Sequence, residues 1–168
     1  MSECCEPRSD RSEVERLVYI MVQAMDRREP DRFDLCFDAD VVVTYNFGTW
    51  RGRELHKQVY NATLPRLFSA THHMISNPVV DVSGDAAEAE YYVQAAHVIE
   101  QGQKVVQIGL IYRQQVRRQP LGWRIVKHEA QSVWTSDPDD IMPNLGEELV
   151  RATTAILNLA SSKRPQDN

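Results

Sequence analysis

Residues 86–101 read Ala86-Ala87-Glu88-Ala89-Glu90-Tyr91-Tyr92-Val93-Gln94-Ala95-Ala96-His97-Val98-Ile99-Glu100-Gln101, and their period decides the fold. The even positions include Glu88, Glu90, Gln94 and Glu100, while the odd positions are Ala87, Ala89, Tyr91, Val93, Ala95, His97 and Ile99. Successive side chains of a strand point to opposite faces, so a two-residue period marks a strand with one buried face. His97 falls on that inward, apolar face.

Working outward, long strands are predicted on both sides, over 70–82 and 104–117, with a fourth over 122–134. The turn signals Ser83-Gly84-Asp85, Gln101-Gly102-Gln103 and Gln119-Pro120-Leu121 separate them. Upstream, Val14, Leu17, Val18, Met21, Val22 and Met25 recur at three and four residues, the stripe of an amphipathic helix over 11–28. Ser12 with Glu15 reads as its capping box, Pro30 ends it, and Asp31 caps a short turn through Phe37. Val41 to Asn46 is a β-branched and aromatic strand, Phe47 to Gly52 a turn, and 53–68 a helix kinked at Pro65. Downstream, 137–143 reads as a loop. A last helix over 146–162 carries the stripe Leu149, Ala152, Ile156 and Leu159, which must bury across the pocket mouth or against a second subunit.

Helices first and long antiparallel strands afterwards predict an α+β fold: a strongly curved, cone-shaped antiparallel or mixed β-sheet, N-terminal helices on its concave face, and an extra C-terminal helix. Such a cone holds a small ligand in its mouth. The expected layout is a tail over 1–10, one domain over 11–136, a loop and helix over 137–162, and a tail over 163–168.

Composition narrows the function classes. The chain has 168 residues, 42% hydrophobic and 26% charged, with a net charge of -5, so it suits one soluble domain and lacks the basic face that nucleic acid requires. It shows no secretory leader and no membrane span, so a cytoplasmic location is the default expectation. Of three cysteines, Cys4 and Cys5 are adjacent and Cys36 is remote, which gives neither a disulfide framework nor a metal spacing. Cys36 is expected to be a small buried hydrophobe. No nucleophile elbow, phosphate loop or dinucleotide fingerprint occurs, so no cofactor is expected.

Histidine is the side chain whose ordinary titration falls near neutrality. Thr71-His72-His73-Met74-Ile75-Ser76-Asn77 sets His73 on a face with Ile75, Asn77 and Val79, and His72 on a face with Met74, Ser76 and Pro78; parity leaves open which face is inside. A lone inward histidine is more often satisfied by a backbone carbonyl. Two on neighbouring strands, with Asp26 bordering the helix stripe and Tyr45 in the first strand, compose an acid–base constellation. A metal triad lacks compact ligand spacing.

The series Ala24-Met25-Asp26-Arg27-Arg28, Tyr45, Trp50-Arg51-Gly52, Thr71 to Asn77, Gly84-Asp85-Ala86 and Gly122-Trp123-Arg124-Ile125 resembles, in order and spacing, the SnoaL-like branch of the nuclear-transport-factor-2-like (cystatin-like) superfamily, from about Glu13 to Trp134. That branch includes scytalone dehydratase, the bile acid dehydratases and hexachlorocyclohexane dehydrochlorinase. The resemblance implies that Asp26 orients His73 as a general base, that Tyr45 polarises a substrate carbonyl, and that His97 is the second pocket histidine. Met25 stands where scytalone dehydratase has a second tyrosine, and Gln107 is the nearest counterpart of its pocket asparagine. Val22, Met25, Trp50, Asn77, Gln107 and His128 are the expected pocket wall. His128 shares parity with Val126 and Ala130. The implied activity is a cofactor-independent lyase (dehydratase-type elimination) or isomerase on a small, largely apolar cyclic compound, polyketide- or steroid-like, in a dimer or trimer. The alternatives are a non-catalytic ligand-binding or dimerisation module and a cofactor-free polyketide cyclase or monooxygenase.

Overall fold

In the computed structural model the structure describes residues 9–99, 104–137 and 141–162. The turn at Gln101-Gly102-Gln103, Glu100, Cys4 and Cys5, residues 138–140 and the tail from 163 lie outside them.

The elements run α1 (Asp10–Asp26), a 3-10 turn (Pro30–Leu35), β1 (Phe37–Tyr45), β2 (Gly48–Arg51), α2 (Arg53–Ala62), α3 (Leu64–Leu67), β3 (Ala70–Ser83), β4 (Ala86–Ile99), β5 (Lys104–Gln119), β6 (Gly122–Thr135) and α4 (Ile141–Ser162). One six-stranded sheet has the order β2-β1-β6-β5-β4-β3. It is mixed, because β1 pairs parallel to β6 while every other pair is antiparallel. Register shifts in β1, β3, β5 and β6 bend the strands, as inserted residues do.

The alternation on β4 is realised: Ala87, Ala89, Tyr91, Val93, Ala95 and His97 are all buried. The α1 stripe likewise buries Val14, Leu17, Val18, Met21, Val22 and Met25, against β3, β4 and β6. Each such side chain contributes about 1.5–3 kcal/mol by leaving water. The start of α1 is fastened to the β5–β6 hairpin. There Arg118 lies 4.4 Å over the Trp123 ring and both side chains reach Asp10.

Several local expectations are corrected. The cap of α1 is Ser9, whose side chain accepts from the Ser12 N–H, so the helix begins earlier than a Ser12 cap would allow. The stretch 48–51 is not a loop but β2, a hairpin return onto β1. The helix over 53–68 breaks at Thr63, which leaves helical geometry while its hydroxyl donates to the Val59 carbonyl. Pro65 then sits in the first turn of α3, where a missing N–H costs nothing. Helix α4 begins at Ile141, inside the expected loop. Its inner face is Leu145 and Thr153, and Leu159 is 58% exposed. Helix α4 packs on α2 and β2. At Gly48 a Cβ would stand 3.2 Å from Thr153 Cγ2, so glycine lets the helix come down on the hairpin. Among the described residues no helix is long and apolar enough to cross a membrane.

Candidate active site

Asp26 is the last residue of α1. Helix C-termini carry unsatisfied carbonyls and disfavour a negative charge, so this carboxylate needs donors, and β3 supplies three. Thr71 Oγ1 donates to Oδ1 at 2.9 Å, the His73 backbone N–H to Oδ2 at 2.9 Å, and His73 Nδ1 lies 2.7 Å from Oδ1. An ionised carboxylate only accepts, which assigns the proton to Nδ1 and leaves Nε2 as the basic edge. Burial pulls the Asp26 pKa up, but hydrogen bonds from His73 and Thr71 and the His73 charge outweigh it, and the net direction is down. The carboxylate is therefore held ionised beside the imidazole.

Which histidine is inward, the question parity left open, is settled by burial: His73 is 9% exposed and His72 is exposed. His97 is 7% exposed, with its ring 5.8 Å from that of His73 and nearly perpendicular to it. Phe68 packs on the other side at 4.4 Å. Burial, with the neighbouring His73 adding to it, lowers His97 to about 4, so its ring is neutral near pH 7. Tyr45 stacks on Phe47 at 5.1 Å and on Trp50 at 5.8 Å, and burial pushes its phenol up, keeping the O–H a donor.

Met25, Tyr45, His73 and His97 line one cavity of about 310 Å³. Its walls are otherwise mostly apolar: Leu64 and Phe68 before β3, Ile108, Leu110 and Tyr112 on β5, Ala130 on β6, and Leu145, Leu149 and Val150 of α4. Phe47, Asn46, Ser132 and Gly146 also line it, and no Lys, Arg, Asp or Glu is among the described lining residues. Asp26 stands behind His73 rather than in the wall.

The other expected wall residues lie elsewhere. Val22 is one turn too early on α1 and is packed in the core. Trp50 is buried behind Tyr45, its indole N–H without a partner among the described residues. Asn77 is exposed, because β3 skips register between Ser76 and Val79. Asn77 takes a left-handed φ of 50° there, a conformation asparagine tolerates. The one extra residue reverses the alternation, so Val79 is 57% exposed and Val80 is buried. Gln107 sits between inward Val106 and Ile108 and points outward, bonded to Gln94. His128 does face inward but lies below the cavity floor, 4.8 Å from the Tyr112 ring, with Nδ1 3.3 Å from Gln114 Nε2. On the same floor His56 stacks on Phe33 at 4.9 Å. Burial lowers His56 and His128 to about 3.

The wall from β5 was legible, since Ile108, Leu110 and Tyr112 share the parity of Val106. Of the α4 stripe, for which the pocket mouth was one of two expected places, Leu149 lines the cavity. A shallower depression of about 360 Å³ lies on the outer sheet face, among Asp81, Glu88, Glu90, Arg113, Lys127 and Glu129. Arg113 pairs there with Glu90 and Lys127 with Glu129, and no histidine is among its described lining residues. Cys36 is buried and its thiol is pushed up to about 12, an inert core sulfur. Among the described residues no three His, Cys, Asp or Glu gather closely enough to hold a metal ion.

The family model of the SnoaL-like domain matches residues 6–129. An uncharacterised protein of Mycobacterium tuberculosis, Rv2910c, is 31% identical over 121 residues, which cover 71% of this chain and 82% of that protein. Of solved structures, a type 2 hexachlorocyclohexane dehydrochlorinase (LinA) superposes with a TM-score of 0.70 at 20% identity, covering 78% of this chain and 90% of that one. A scytalone dehydratase-like protein of Novosphingobium aromaticivorans gives a TM-score of 0.68 at 22% identity, with 76% and 87% covered. At these identities the likeness to the two structures is one of fold.

Proposed function

The chain belongs to the SnoaL-like family of the nuclear-transport-factor-2-like superfamily, and from that premise we propose that it is a cofactor-independent lyase or isomerase with an Asp26–His73 dyad as its general base. One observation carries the reading: His73, tied to the helix carboxylate at 2.7 Å through Nδ1, lines an apolar cavity with no Lys, Arg, Asp or Glu among its described lining residues. Names of structural neighbours, a dehydrochlorinase and a scytalone dehydratase-like protein, support lyase-type chemistry in proteins of this fold.

In the proposed reaction, His73 Nε2 takes a proton from a carbon next to a carbonyl. Asp26 fixes the tautomer and stabilises the imidazolium that forms. Tyr45 donates to the oxygen on which negative charge develops, and neutral His97 offers a second donor. In an elimination, the electron pair of the broken C–H bond forms the C=C bond while the hydroxyl leaves and takes the imidazolium proton as water. If the proton is returned to another carbon instead, the outcome is an isomerisation. An uncharged, largely apolar ring compound suits walls without Lys or Arg. The reading includes action in the cytoplasm and a dimer or trimer, the latter checked by sedimentation.

The test is α-proton exchange of 2-tetralone in D2O followed by NMR. The wild-type protein accelerates exchange, and His73→Gln reduces that acceleration by about 10²–10⁴-fold while the amide spectrum stays native. Equal exchange by variant and wild type overturns the dyad. Binding of the ketone with no acceleration by either favours the non-catalytic ligand-binding module.

A further inference from the structure

The end of α1 is tied both to α2 and to the segment that leads into β3. Tyr60 O–H donates to the Met25 carbonyl at 2.7 Å. Arg28 adopts a left-handed φ of 59°, uncommon for a long side chain. Its guanidinium donates from Nη2 to the carbonyls of Phe68 at 2.9 Å and Ser69 at 2.6 Å. Phe68 is the ring packed on His97. Between these ties stands Asp26, with Thr71 Oγ1 and His73 Nδ1 converging on the same oxygen, Oδ1.

We infer that Thr71 is a positioning residue of the dyad, acting through Asp26, with Arg28 holding the segment that presents it. The inference rests on the dyad reading above. Thr71 and His73 are two residues apart on β3, so their side chains leave the strand on one face and reach one carboxylate together. The His73 backbone N–H fixes Oδ2. A carboxylate held only by that bond and by a ring swings about its last torsion, whose well is broad. The Thr71 hydroxyl closes the remaining freedom and aims Oδ1 at Nδ1. It also lowers the basicity of that oxygen, because hydrogen bonds to the charged form favour it. A hydroxyl is needed for this and a methyl is not, which separates positioning from packing.

The experiment compares Thr71→Val, which keeps the shape, with Thr71→Ser, which keeps the hydroxyl, in the full chain without ligand. Asp26 is titrated by carboxyl-carbon NMR and the His73 ring is observed by nitrogen NMR. The expected result is that Thr71→Val raises the Asp26 midpoint by roughly half to one pH unit and alters the His73 Nδ1 signal, while Thr71→Ser leaves both in place. Thr71→Ala carries the same test if the valine variant lacks a native amide spectrum. An unchanged Asp26 midpoint and His73 signal in Thr71→Val, with Asp26→Asn still altering His73, overturns the role of Thr71 and leaves the dyad standing. If Asp26→Asn also leaves His73 unaltered, the dyad and this inference fall together. A merely structural threonine would change the melting temperature without moving the carboxyl midpoint.

Discussion

Two pairs of histidines lie within this fold, and they differ in what surrounds an equally hidden ring. His73 and His97 line the cavity, whereas His56 and His128 sit under its floor among Phe33, Phe37, Tyr45 and Tyr112. All four are buried. Among the described residues only His73 is bonded to a carboxylate. The two ring nitrogens of His56 and Nε2 of His128 have no partner among the described residues, and desolvation alone pushes His56 down, as it chiefly does His128. Burial makes an imidazole neutral but does not make it a useful base. A carboxylate that stabilises the imidazolium after proton transfer supplies that, and among the described residues His73 alone of the four is bonded to one.

The largest effect that tests this contrast is acid instability. His56 and His128 are lowered to about 3 and His97 to about 4, from an ordinary value of 6.5. Below about pH 6.5 the unfolded chain takes up protons that the folded chain refuses. Stability is therefore full above that pH and falls as the pH drops, by ~1.4 kcal/mol per pH unit for each histidine until its folded value is reached. Asp26, with a folded value below 3.8, acts in the same direction only at lower pH. Urea midpoints between pH 8 and 5 should show a plateau and then a steep decline, and His128→Phe should remove about a third of the slope. A flat profile would break the comparison by showing the floor imidazoles to be accessible to protons.

Next in size is Asp26→Asn. It leaves the His73 ring in place without its counter-charge, so proton abstraction from 2-tetralone should fall by at least about 10²-fold, with the folded amide spectrum retained. His97→Gln keeps a donor in the wall, and a loss of only about tenfold in the same exchange assay would mark His97 as an auxiliary to His73. The smallest effect belongs to His56→Phe. Replacing unpartnered buried nitrogens by an apolar ring should leave exchange unchanged and shift stability by about 1 kcal/mol or less, toward greater stability, as read from thermal denaturation. A severe loss of exchange in that variant would erase the distinction between floor and wall.

What the sequence disclosed follows the same division between regular and interrupted backbone. Where β4 runs uninterrupted, counting by two placed His97 inward, and the same count on β5, not applied to Gln107, puts Val106 and Tyr112 inward and Gln107 outward. Where β3 carries one extra residue the count fails, and Asn77 and Val79 leave the face they were assigned. Trp50 lay in a stretch rich in turn residues that nevertheless pairs as β2, because cross-strand partners on β1 override local preference. Asp26 was marked by its place beside the helix stripe, but its bonds to residues 45 and 47 positions away leave no local trace. The part played by α4 in the cavity depends on where its chain returns, which a stripe of apolar residues does not specify.

The bulge at Asn77 and Pro78 also bears on how molecules of this protein avoid one another. Strand β3, 14 residues long, is at the border of the sheet, with open backbone groups along its free side. Such a border invites a foreign strand to add on and start an aggregate. Proline offers no N–H to a newcomer, and the register skip bends the border out of line just beyond His73. The opposite border, β2, is only four residues long and lies under α4. The irregularity that removes Asn77 from the cavity thus interrupts the one long border that would otherwise template fibre growth.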